Sequence, residues 1–461
     1  MSLLEHYGAQ LEQAVPLAVR GQVEAVKGLI VHAADLPMPV DAAVDIRTAS
    51  GTLVPGQVVG FDRQRTLIMA LGSMQGIARG DMIFGRHGVQ RVPCSDFLVG
   101  RVIDAFGHPL DGKGPVAVSR PRSIAAPAID CMRRVPIHEP ISTGVRAVDA
   151  LLTCGQGQRM GIFAGPGVGK SVFMSMLARC SSAAVSVIAL IGERGREVQD
   201  FLQHTLGEAG LARSVVVAST ADQSPLVRIR AARVASTIAE HFRDAGRNVL
   251  LVMDSLTRLC QAQRQVGLSI GEPPATRGYT PSVFALLPEI LERAGNTARG
   301  SITGFYTVLV EGDDFNEPIA DAVKGITDGH IFLDRALANR GHYPAVSMLQ
   351  SISRVRNDVT DAPHQAAARR VLELLAAYAD IEDLVNIGAY VPGGSLINDL
   401  SVRMRERIVA FLQQKAADSV NFASAKVQLF DLQMVIEREQ KLLEQNYRQV
   451  AAAAPAAKPR R

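Results

Sequence analysis

The chain has 461 residues, 47% hydrophobic and 20% charged, a globular composition long enough for more than one domain at about 150 residues each. Its formal charge of +4 leaves KPRR at the C-terminus as the only concentrated basic stretch, so charge gives no support to nucleic-acid binding. No apolar run approaches the roughly 20 residues of a membrane span. The five cysteines (Cys94, Cys131, Cys154, Cys180, Cys260) are scattered and never form C-x-x-C, so a zinc site or disulfide framework is not expected and a reducing cytoplasm is.

Residues 1–20 lack the basic start, apolar block and cleavage site of a secretory signal, so export of the chain itself is not expected. Leu3, Leu4, Tyr7, Leu11, Ala14 and Val15 recur at helical spacing, which predicts a short amphipathic helix that docks on a partner or membrane surface, or packs on its own domain. Residues 21–95 carry short β-like runs broken by glycine, among them GQVVGF and TLIMAL. They predict a small β-barrel or sandwich. LVGRVIDAFGHPLDGKGP and a proline-bearing stretch to Pro140 read as the linker into the next unit, which spans 96–365.

From Ile141 strand and helix patterns alternate, predicting an α/β domain with a largely parallel sheet. Its first strand, Met160–Ala164, leads into Ala-Gly-Pro-Gly-Val-Gly-Lys-Ser at 164–171. A glycine-rich loop (Gly165, Pro166, Gly167, Val168, Gly169) lets backbone N–H groups face a polyphosphate. Lys170 adds a point charge at the β and γ phosphates, and Ser171 offers a hydroxyl to Mg2+. Ala164 replaces the usual first glycine of that loop, at little cost if its φ is negative. The alternative, an ordinary strand-to-helix turn, leaves the acidic residues at the ends of the neighbouring strands without a role.

Hydrolysis of ATP also needs a metal ligand, a group that positions water, and positive charge for the transition state. The strand 185–192 is followed by Glu193, placed at the carboxyl edge of the sheet as the candidate base, with Arg194 beside it as a phosphate contact or a solvated surface residue. The apolar run Val249–Met253 ends in Asp254, which either orders Mg2+ through its water shell or caps the next helix. Runs at 214–220, 301–310 and 330–334 complete the strands, with a helix predicted over 223–245. Helical patterns fill 366–448, and residues 449–461 are expected to be disordered.

The stretches GRVIDAFGHPLDG, PISTGVRAVDALL, AGPGVGKS, GERGRE, DSLTR, GEPPATRGYTPSVFALLPEILERAG, NEPIAD and YPAVSMLQSISR resemble the catalytic subunits of rotary ATP synthases and their homomeric relatives in type III secretion. The likeness runs from about residue 20 to about 415. GPGVGKSV, DSLTRLCQAQRQVG and DLVNIGAYVPGG are most similar to the ATPases of flagellar export apparatus, with injectisome ATPases the nearest alternative.

The resemblance implies a RecA-like core between a barrel and a helical domain, assembled as a homohexameric ring with ATP and Mg2+ at subunit interfaces. It implies Lys170 and Ser171 on phosphate and metal, Glu193 as catalytic glutamate, Arg194 on phosphate and Asp254 as Walker B aspartate. Arg354 would reach into the neighbouring subunit's site, with Arg356 its local competitor. Tyr343 would stack on adenine, or else is a core tyrosine. Where the family carries an acidic residue after YPA and one aliphatic position, this chain has Ser347. The implied setting is the cytoplasmic face of a membrane export gate, and the implied partners are stator or regulator and stalk proteins, export substrates and their chaperones. Other readings are a proton-translocating rotary synthase subunit, an RNA-translocating helicase, which the first hundred residues do not equip with aromatics or a basic stripe, and a module that only stores nucleotide.

Overall fold

The computed structural model describes residues 19–86, 89–117, 120–310, 312, 314 and 317–453, so the expected N-terminal helix lies outside the described residues. Six strands, β1 (Arg20–Lys27), β2 (Ile30–Ala34), β3 (Ala43–Arg47), β4 (Leu53–Asp62), β5 (Arg65–Ala70) and β6 (Met82–Arg86), close a barrel in the order β1-β2-β5-β4-β3-β6. Closure leaves no free edge, which decides between barrel and sandwich. Val31, Val44, Ile46, Val58, Ile68 and Ile83 fill its interior. Ile30, Leu67 and Met69 alternate to the other face and join the core of the next domain.

The second unit is built on a nine-stranded sheet. Its strands are β7 (Val102–Ile103), β8 (Arg159–Ala164), β9 (Val185–Glu193), β10 (Ser214–Thr220), β11 (Asn248–Asp254), β12 (Gly295–Asn296), β13 (Ser301–Leu309), β14 (Gly329–Leu333) and β15 (Ile352–Ser353). The order is β15-β14-β8-β13-β11-β9-β10-β7, with β12 turned back antiparallel on β13. The pairs from β14 to β7 are parallel. The stretch expected to be a linker therefore contributes an edge strand.

Central strands read as unbroken apolar runs because both faces are covered. Val187, Ala189 and Ile191 of β9 face one layer with Val249 and Leu251 of β11. Ile188 and Leu190 face the other with Leu250 and Val252. The helices that position the site are α1 (Arg146–Leu151), α2 (Lys170–Cys180), α3 (Gly195–Asp200), α4 (Pro225–Asp244) and α5 (Leu256–Ser269). Helices α6 (Ala362–Asn386), α7 (Leu396–Leu412) and α8 (Phe422–Ala453) form the C-terminal layer. The last helix runs on to Ala453, into the stretch expected to be disordered from residue 449; residues 454–461 lie outside the described residues.

Candidate active site

Parallel strands deliver their carboxyl ends to one edge of the sheet, where ligands of open α/β folds bind. Four of them converge here. Ala164 ends β8 in ordinary extended backbone, paired with Leu309 and Leu333, so the alanine in the usual glycine position carries no strain. Gly167 and Gly169 come next at φ 78° and 92°, a region that favours glycine. A Cβ on Gly169 would also meet the Tyr343 ring at 3.3 Å. Gly169 then caps α2, whose first residue is Lys170, so free N–H groups and the positive helix end face the loop.

The Lys170 ammonium forms an ion pair with Asp254 and stands 3.8 Å from Glu193 Oε1. Asp254 also accepts a 2.6 Å hydrogen bond from Thr307 on β13. Ser255, not Asp254, caps α5, its hydroxyl accepting from the Arg258 N–H at 3.3 Å. That frees the aspartate from the capping role the sequence left open.

Glu193 is aimed by a break in the ladder. The pairing of β9 with β10 shifts register between Ile191 and Glu193, and Gly192 at the shift has φ 71°. Arg258, on the first turn of α5, donates to the Gly192 carbonyl at 2.7 Å and forms an ion pair with Glu193 Oε2 at 3.1 Å. Burial, then the nearby Asp254, pushes the Glu193 carboxyl up to about 7, against the pull of Lys170 and Arg258. Its hydrogen bond to Glu197, one helical turn on, holds the Glu197 carboxyl below the usual range. Glu193 Oε1 is buried with no hydrogen-bond partner among the described residues.

Two expected residues stand apart from this cluster. Arg194 is exposed, with Nε 3.9 Å from Glu197. Arg354 comes directly after β15, which pairs with the start of β14 (Ser353 opposite Gly329), so it lies at the opposite edge of the sheet from Lys170. The length of β8, about 16 Å at ~3.3 Å per residue, separates that edge from its own loop. Arg354 is exposed, and its side chain donates to the Lys324 carbonyl at 3.4 Å. Arg356 is half-buried and donates to Leu151 O at 3.3 Å within the same subunit. Ser347 is half-buried, its N–H donating to Phe332 O at 2.8 Å.

Beside the loop opens a cleft of about 760 Å3, lined by Gly167, Val172, Phe173 and Tyr343 on one side and by Gln413, Gln414, Lys415, Ala416 and Asp418 of the C-terminal layer on the other. Tyr343 is 45% exposed, which rules out the core reading and leaves a flat face free for a base. Gln414 holds the two sides together. Its backbone N–H donates to Tyr343 O at 2.9 Å, its amide donates to Gly144 O at 2.8 Å, and it accepts from the Arg146 N–H at 2.8 Å. Arg258, Thr307 and Gln414 are absent from the residues expected from sequence. Only DSLTR gives a trace of the first.

Among the described residues no group of three or more His, Cys, Asp or Glu gathers as a metal cage. The Ser171 hydroxyl and the Asp254 carboxylate are hard oxygen donors of the kind that hold Mg2+ jointly with nucleotide phosphates.

Residues 144–353 match the nucleotide-binding domain of the ATP synthase alpha/beta family, residues 23–83 its beta-barrel domain, and residues 360–431 the C-terminal domain of the type III secretion ATPase EscN. The chain is 48% identical to the flagellum-specific ATP synthase of Treponema pallidum, over 91% of this chain and 94% of that protein. It is 47% identical to the type 3 secretion system ATPase of Xanthomonas euvesicatoria, over 86% and 89%. A solved structure of assembled EscN in complex with its central stalk EscO, from enteropathogenic E. coli, matches with TM-score 0.82 at 39% identity, covering 89% of this chain and 99% of that one. With a phosphate loop, a buried carboxylate and an aspartate meeting at one sheet edge, the chain is an ATP-hydrolysing enzyme and belongs to the ATP synthase alpha/beta family, among its type III export ATPases.

Proposed function

We propose that the chain hydrolyses ATP as a homohexameric ring that energises flagellar protein export, each site completed by the neighbouring subunit. The observation that carries this is the division of charge. Lys170, Glu193, Arg258 and Asp254 stand together at one sheet edge, while the exposed Arg354 sits at the other, beyond reach of its own loop. In a head-to-tail ring one edge meets the next subunit's other edge, and an arginine supplied in trans neutralises charge on the transferring phosphoryl group.

Within one subunit, the loop N–H groups and Lys170 hold the phosphates, and Tyr343 packs on the base. Arg258 fixes one oxygen of Glu193, leaving Oε1 to orient the attacking water and accept its proton. Ser171, and Asp254 through water, would hold Mg2+, which supplies positive charge at the phosphate oxygens when bound. Arg194 remains an outer phosphate contact that closure around ATP would recruit. The working division of the chain is 21–95 for the barrel, 96–365 for the ATPase core and 366–448 for the helical domain, with 1–20 as a docking segment.

The cellular role rests on relatives. The flagellum-specific name carried by the Treponema pallidum protein supports flagellar export, and the EscN complex supports an assembled ring with a stalk partner. Stator proteins, export substrates with their chaperones, and a position at the cytoplasmic face of the membrane export gate complete the reading. Among the described residues no helix is long and apolar enough to cross a membrane. Duty in an injectisome is the second reading, supported by 47% identity to the Xanthomonas euvesicatoria enzyme. Specific ATPase activity measured against protein concentration tests the ring: it rises cooperatively if sites are shared. A flat rate per chain would overturn the proposal and favour a partner-dependent rotary subunit.

A further inference from the structure

Three buried polar atoms without hydrogen-bond partners cluster around Gly192. They are Glu193 Oε1, Arg258 Nε and Arg228 Nε. Unsatisfied buried groups are rare, and each asks for an explanation. The first two belong to the catalytic carboxylate and the arginine that holds it. The third belongs to α4, an element with no part in the chemistry described so far.

Arg228 is nine-tenths buried, and among the described residues no carboxylate pairs with it. Its side chain bonds a neutral group instead, Nη2 donating to Gln265 Oε1 of α5 at 2.8 Å. A Cβ built on Gly192 would lie 3.1 Å from Arg258 Cβ, 3.2 Å from Arg258 Cδ and 3.5 Å from Arg228 Cδ, so the two stems flank the same glycine. Burial, then the positive charge of Arg258, depresses the Arg228 guanidinium. A buried cation without an anion is costly.

We propose that Arg228 is a positioning residue for the catalytic carboxylate: wedged across Gly192, it repels Arg258 and keeps that guanidinium docked on Glu193 and the Gly192 carbonyl. A fixed like charge behind Arg258 disfavours any arrangement that retreats toward α4, and the Gln265 amide anchors that charge. Arg228 touches neither nucleotide nor water in this role. It acts on the rate through Arg258, not on ATP affinity.

The inference rests on Glu193 being the residue that orients water, so the test carries that reading as its own control. Steady-state ATP hydrolysis by the full-length protein is measured for Arg228→Gln, Arg228→Met, Arg228→Lys, Arg258→Gln, Glu193→Gln and the Arg228→Gln/Arg258→Gln double variant. Loss of the Arg228 charge lowers kcat about 10- to 100-fold, the scale of a misplaced catalytic group, with KM for ATP unchanged. Arg228→Lys keeps most of the rate, and the double variant is no slower than Arg258→Gln alone. Additive losses in the double variant, a raised KM with kcat intact, or a lysine variant as slow as the glutamine one each overturn the proposal. So does loss of cooperative unfolding in both the glutamine and methionine variants, which marks Arg228 as a fold residue. If Glu193→Gln retains its rate, the reading of Glu193 fails and this inference with it; if that variant is inactive and the cycle is additive, only the inference falls.

Discussion

Two arginine–glutamate pairs sit in the same domain, one fully buried and one with a half-buried arginine, and could hardly be treated more differently. Arg293 and Glu240 are 1% and 4% exposed, and their pairing is complete. Arg293 Nε and Nη2 each donate to the carboxylate at 2.8 Å, Nη2 also to Thr237 at 2.8 Å, and Nη1 to Ile124 O at 3.1 Å. Arg258 and Glu193 share one contact at 3.1 Å and leave Arg258 Nε and Glu193 Oε1 unsatisfied. The first pair is bonded at both carboxylate oxygens and at all three guanidinium nitrogens, joining α4 to the segment just ahead of β12. The second holds an oxygen in reserve. Here the saturated pair belongs to the scaffold and the incomplete one stands beside the phosphate loop.

Arg354→Ala carries the largest expected effect. If the neighbour's arginine completes the incomplete site, the rate of the assembled enzyme falls by about 10³ to 10⁵ while ATP binding persists, measured by turnover beside equilibrium nucleotide titration. Glu193→Gln comes next, with a loss of about 10² to 10⁴ in kcat and no loss of thermal stability. The direction of its pH dependence is set by its environment. The carboxyl stands near 7 in the folded chain against 4.5 otherwise, so its stabilising share is full below about 4.5 and is lost as pH rises through 7. Activity runs the opposite way, rising roughly tenfold between pH 6 and pH 8 as the base ionises. Glu193→Gln flattens both profiles, and an unchanged stability profile would break the contrast.

Glu240→Ala should do the reverse of Glu193→Gln. It strands a fully buried guanidinium and costs about 3–5 kcal/mol in denaturant unfolding, with turnover per folded chain intact. The smallest effect belongs to the base side of the cleft: Tyr343→Ala raises KM for ATP about tenfold, at the low end of a lost base–aromatic stack, whereas Tyr343→Phe leaves it unchanged.

The same contrast explains what can be read from the chain alone. Lys170, Glu193 and Asp254 come after apolar runs that can only be covered strands, so residue type and position reveal them together. The barrel is legible as short runs between turn signals, though its closure is not. Arg258 is written in DSLTR, yet an arginine on a first helical turn looks the same whether it is solvated or turned onto a carboxylate. Gln414 and Gly144 are 270 residues apart, and no local pattern announces such a bond. Arg194, next to Glu193, reads in the sequence as a phosphate contact, but the turn into α3 leaves its side chain exposed. Local chemistry is visible; what tertiary packing brings to that chemistry is not.

The shared site is tested most directly by complementation. Lys170→Ala and Arg354→Ala are each expected to be inactive alone, for different reasons on different edges of the same subunit. Mixed in equal amounts, they pair an intact loop with an intact arginine at about one quarter of the interfaces of a randomly assembled ring. Hydrolysis is expected to return to roughly that fraction of the wild-type rate. No recovery from mixtures shown to co-assemble would contradict the shared site and place the whole of catalysis within a single subunit.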